Sequence, residues 1–154
     1  MNHPLHPMLV HFPIALLFTS VFFDFLAMIT KRDSFRQSGF WLLILGWAGG
    51  LAATLSGSWG EDAAEKIGVS ETAIELHESF AIATLVVFAV LLLIRWWRDV
   101  RPSLQKNVVY TVVAVIGLGL LATTGFLGGD LVYRYGAGVL KVERPTVSAP
   151  PPTD

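Results

Sequence analysis

Four histidines carry most of the coordination chemistry open to this chain. His3, His6 and His11 crowd the first eleven residues, and His77 stands alone. Imidazole ligates iron, copper and zinc and moves protons near neutral pH. There is no cysteine, so disulfides, iron–sulfur ligation, thiolate zinc sites and a cysteine nucleophile are excluded. Two ligand sets follow. One is local: His3, His6 and His11 with the Met8 thioether place mixed nitrogen and sulfur donors within nine residues, a combination that suits copper or zinc. The other joins distant segments and needs a scaffold to bring His77 to one of the first three.

That scaffold is a membrane bundle. Apolar and aromatic residues make up 53% of the chain and charged residues 15%, against about 25% charged in an ordinary soluble protein. A bilayer core of about 30 Å takes roughly 20 apolar residues per helix, and four stretches qualify: 9–30, 40–57, 74–94 and 108–128. Their length and uniform apolarity exclude barrel strands. The first lacks a basic leader and a small-residue exit, so it is expected to stay as a helix. Lys31, Arg32 and Arg36 follow the first span, and Arg95, Arg98, Arg101 and Lys106 follow the third. The positive-inside rule puts those connectors in the cytoplasm. Glu61, Asp62, Glu65 and Glu71 face a single Lys66 between spans two and three, as expected outside. Both termini then lie on the periplasmic side of a bacterial inner membrane. Residues 145–154 include Ala149-Pro150-Pro151-Pro152 and read as a disordered tail. The net charge of −1 offers no basis for nucleic-acid binding.

Self-comparison suggests a duplication. Shifting the chain by 66 residues lays 11–33 on 77–99 with seven identities, among them His11/His77, Phe22/Phe88 and Asp33/Asp99. A shift of 69 pairs Gly50/Gly119, Thr54/Thr123 and Gly60/Gly129, with Glu61 facing Asp130. The chain therefore reads as an all-α four-helix bundle of two repeated hairpins related by an axis along the membrane normal. On this register His11 and His77 share a depth and form an axial pair for one haem b. Gly57 and Gly125 would let the macrocycle approach the backbone, and Arg134 would clamp a propionate. Glu71, Glu75 or Glu78 would orient the His77 ring.

The run His6-Pro7-Met8-Leu9-Val10-His11-Phe12-Pro13-Ile14-Ala15-Leu16 closely resembles the opening signature of bacterial membrane proteins grouped as domain of unknown function 2231. The stretch from Gly125 through Gly128-Gly129, Leu131-Val132-Tyr133 and Tyr135-Gly136 to Gly138-Val139 resembles that family's closing signature. His77 also fits the pattern, and the likeness covers nearly the whole chain. The resemblance implies a four-helix membrane protein of unestablished function, some members being joined to or encoded with Rieske or cytochrome modules. His3-Pro4 lies beyond the motif.

Asp24 is the one acid well inside a span. A buried charge there is a functional candidate, but Tyr110, Arg95 or Arg98 are within plausible reach, and structural pairing is the expected reading. Trp59, Trp96 and Trp97 read as belt residues. Ser56-Gly57-Ser58-Trp59-Gly60 lacks the strand–turn–helix setting of a hydrolase elbow, and no phosphate loop or dinucleotide fingerprint is present. The expected function is a small b-type cytochrome or electron-transfer subunit holding one haem through His11 and His77. It would contact lipid and a redox partner or the subunits of a membrane complex, with self-association left open. A copper or zinc protein using the N-terminal cluster, and a cofactor-free accessory subunit, are the alternatives.

Overall fold

The computed structural model describes residues 5–59, 68–100 and 108–137. Five helices account for nearly all of them: α1 (Leu5–Leu9), α2 (His11–Thr30), α3 (Asp33–Ser58), α4 (Glu71–Val100) and α5 (Val108–Tyr135). No strand occurs among the described residues. Four spans are long and apolar enough to cross a bilayer, namely Leu5–Thr30, Asp33–Ser58, Glu71–Trp97 and Val108–Tyr135. They match the four expected segments but run longer. A helix does not stop where its apolar run stops, because backbone bonding continues into the polar edge. The expected tail, and most of both longer connectors, lie outside the described residues.

Local chemistry explains the breaks. Pro13 has no N–H to give the Leu9 carbonyl, so the regular ladder lapses between α1 and α2. The interruption is slight. Val10 keeps helical angles, its N–H reaches the His6 carbonyl at 3.1 Å, and its own carbonyl accepts from Ile14 at 3.3 Å. At the other end Lys31 adopts a left-handed conformation (φ 56°) and its N–H bonds back to the Ala27 carbonyl. That closes α2 and turns the chain into α3 within two residues.

Packing makes an up-down-up-down bundle. α2 lies on α3 and α4 on α5, while α3–α4 and α2–α5 contacts join the hairpins. α2 and α4 are thus diagonal neighbours across the bundle axis. Leu17, Val21, Leu43, Phe88 and Leu91 fill the centre, each no more than 2% exposed. The outward faces carry Phe12, Phe18, Phe22, Leu45, Val86, Leu93 and Ile116, which suits contact with lipid. Small residues let the helices approach closely. A Cβ on Gly46 would lie 2.8 Å from Leu17 Cδ2 and 3.1 Å from the Leu17 backbone nitrogen, whereas Gly119 has open space beside it. Gly46→Ala is therefore expected to cost about 1–3 kcal/mol by overpacking, and Gly119→Ala to stabilise by up to about 1 kcal/mol through helix propensity. Unfolding of the two variants in mixed micelles checks this.

The hairpins repeat, but in a different register from the one that identities suggested. Among the described side chains, every buried residue of α4 and α5 has a buried counterpart 71 positions earlier: Thr84/Pro13, Phe88/Leu17, Leu91/Ser20, Arg95/Asp24, Tyr110/Gly39, Ala114/Leu43, Gly117/Gly46 and Leu121/Gly50. Contacts repeat as well. Leu17 covers Gly46 as Phe88 covers Gly117. The shift of 66 residues is off by five, about 140° around a helix, which turns an inward position outward. The identities behind it fall largely on lipid-facing or partly exposed residues such as Ala15, Phe22 and Leu26, where almost any apolar side chain serves.

Candidate functional site

Two polar centres sit at opposite ends of the bundle axis. At the end where the chain enters and leaves, His6 of α1 meets His77 of α4. Their ring centroids are 6.1 Å apart and the ring planes lie at 89°. Each ring rests on a glycine of the adjacent helix in its own hairpin. A Cβ at Gly57 would lie 3.1 Å from His6 Cε1, and one at Gly128 3.0 Å from His77 Cε1. Glycine at both places lets an imidazole lie close to a helix backbone. The repeat holds here too, since His77 and Gly128 each follow His6 and Gly57 by 71 residues.

Hydrogen bonds orient the His6 ring. His6 Nδ1 lies 2.7 Å from the Ala53 carbonyl and 3.3 Å from Ser56 Oγ, which itself donates to Ala53. An N–H on Nδ1 donating to that carbonyl leaves the Nε2 lone pair of His6 free, the tautomer a metal ligand needs. Beside His77 lies the main chain of Thr124, 71 residues after Ala53. Its Nδ1 is buried and has no hydrogen bond of normal geometry. Glu78 lies near enough to act on the ring through its charge, but no carboxylate among the described residues hydrogen-bonds to this nitrogen. Thr84 and Thr124 close the space beneath by a hydroxyl contact of 3.0 Å.

The structure corrects the expected pairing: His6, not His11, faces His77. Six and 24 are 18 residues apart, five whole turns, so His6 falls on the inward stripe with Pro13, Leu17, Ser20 and Asp24. His11 stands about 140° away and is exposed. The N-terminal cluster is split for the same reason, since Met8 is exposed as well. No group of three or more His, Asp or Glu side chains poised for a metal occurs among the described residues; His3 and Glu61 lie outside them. Gly125 is exposed with open space beside it, and Gly128 takes the position expected of it. Arg134 is exposed and forms an ion pair of 2.7 Å with Asp130 one turn away. Trp59, Trp96 and Trp97 are exposed at span ends.

At the opposite end Asp24 is enclosed. Its carboxylate accepts from the Arg95 guanidinium and from the Tyr110 hydroxyl. Arg95 also donates to the Arg36 carbonyl and lies over the Phe40 ring at 5.6 Å. All three residues are at most 6% exposed. Gly39 makes the room, since a Cβ there would lie 2.6 Å from an Asp24 oxygen. The expected pairing of Asp24 is what the structure shows. Its counterpart in the repeat, however, is Arg95 rather than Val90. The residues that sequence reasoning missed are Gly128, Ser56 and the Ala53 carbonyl. Ser20 and Asp24 were the available signal, because polar side chains in a span mark its inward face and His6 is in phase with both.

No curated protein and no solved structure shows significant similarity to the chain. A family model described as a predicted membrane protein, domain of unknown function 2231, matches residues 2–141. That match spans nearly all of the bundle, and the chain belongs to this family.

Proposed function

We propose that His6 and His77 would together hold a single haem b, making the protein a small membrane electron-transfer subunit. The supporting observation is the opposition of two imidazoles from diagonal helices, with the Nδ1 of His6 held by a carbonyl. Ring centroids 6.1 Å apart put both imidazoles within reach of one shared group. A porphyrin supplies four nitrogens of its own, so a pair of imidazoles would suffice to hold it. A haem held here would supply one-electron iron chemistry. The chain's own residues orient His6 through the Ala53 carbonyl, and the Thr124 main chain flanks His77 in the second hairpin. They also exclude water from the bundle centre with Leu17, Leu43 and Phe88.

Basic connectors at the Asp24 end argue for that end facing the cytoplasm. The histidine end then faces the periplasm, where the redox partner docks. The test is an optical spectrum of protein purified from haem-replete cells. A low-spin Soret band with split visible bands on reduction is expected, and a colourless protein overturns the proposal. Gly57→Ala and Gly128→Ala should push the rings off position and weaken haem binding by about 10–100-fold, read by haem titration of the apoprotein.

A further inference from the structure

The two ends of the bundle treat the repeat differently. At the histidine end, equivalent positions carry the same residue, His6 and His77. In the middle the equivalent pairs are Pro13/Thr84, Leu17/Phe88 and Ser20/Leu91, which carry no charge. At the far end equivalent positions carry opposite charges, Asp24 and Arg95, and these meet across the bundle axis. Suppose the first hairpins of two chains packed together in the native register. Two Asp24 side chains would then face each other at the axis, and two second hairpins would oppose two Arg95 side chains. Each arrangement would still bring two histidines together. Among these pairs, only the one at the far end tells the hairpins apart by charge.

We infer that the inner face of each hairpin is an interaction surface for the unlike hairpin, with Asp24 and Arg95 as its specificity-determining pair against a second copy of the same hairpin. Like charges buried at the axis lack the partner that makes burial tolerable. Tyr110 sharpens the match, because its hydroxyl donates to Asp24, while Gly39, its counterpart in the other half, leaves room for the Asp24 carboxylate. In consequence the imidazole pair always contains one His6 and one His77.

The experiment uses full-length chains carrying two different affinity tags. Asp24→Arg gives a chain whose hairpins both present arginine, and Arg95→Asp one whose hairpins both present aspartate. Expressed singly, each is expected to lose the monomeric bundle, read by light scattering in detergent and by thermal unfolding. Expressed together they should be purified by either tag as a one-to-one complex in which unlike hairpins pair between chains. The double variant Asp24→Arg/Arg95→Asp should return to the size and unfolding of the native chain. A parallel set with Asp24→Lys and Arg95→Glu guards against a misfit of side-chain shape. Rescue in either arrangement supports the assignment. Single variants that keep native size and unfolding overturn it, and so does the absence of any rescue in both sets.

Discussion

Alanine in place of His6 or His77 is expected to abolish the low-spin haem spectrum, while His11→Ala leaves it intact. The contrast follows from rotation along one helix. His6 lies on the buried stripe that leads to Asp24, and His11 lies on the exposed face. On the proposed assignment each of these changes would remove one of the two side chains that would hold the haem, so its effect would far exceed that of the supporting residues. Ser56→Ala touches only the hydrogen bonding around His6 and should lower affinity by about tenfold, the lower end for an orienting group. Haem content per chain and the reduced-minus-oxidised spectrum of each variant decide the matter. If His11→Ala bleached the protein and His6→Ala did not, the ligand assignment would be wrong even though the protein binds haem. If none of the variants mattered, the histidines would have no part in cofactor binding.

Much of the fold could be read from residue types alone, because apolar length and basic loops are coarse signals that tolerate error. Span number and helical class needed no side-chain detail. The site was harder for a physical reason. In a membrane bundle, apolar side chains face both lipid and core, so hydrophobic periodicity no longer separates inside from outside. Identity at Ala15/Ala81 or Val21/Val87 then has little meaning, yet those matches set the register that paired His11 with His77. Polar and small residues are the informative ones. Asp24/Arg95, Gly46/Gly117 and Gly57/Gly128 all agree on the offset of 71, but Asp against Arg scores as a mismatch in any search for likeness. The true relation is one of complementary contact rather than resemblance, and only packing exposes it. The partner of Asp24 was legible because a lone acid in a span demands a cation within reach.

Asp24→Asn is expected to cost the bundle about 3–5 kcal/mol of stability. It removes the charge that faces Arg95 and leaves a guanidinium 5% exposed among Phe40, Tyr110 and the α3 backbone. Guanidinium keeps its proton under all ordinary conditions, so the stranded charge has no escape except to pull the helices apart. Arg95→Met strands a carboxyl instead, which has the option of binding a proton and becoming neutral. It keeps the Tyr110 hydroxyl as a partner, and its cost should be smaller. The double variant Asp24→Asn/Arg95→Met leaves no unpaired charge and keeps an acceptor for Tyr110. It should regain most of the loss, since replacing both members of a buried pair is often close to neutral. Unfolding free energies of the four proteins in mixed micelles give the coupling directly. Asp24→Asn should stand lowest, Arg95→Met above it, and the double variant nearest the native chain. A double variant worse than either single one would mean that Asp24 and Arg95 contribute through separate contacts. The ion pair would then not be what holds α2 against α4 at this end.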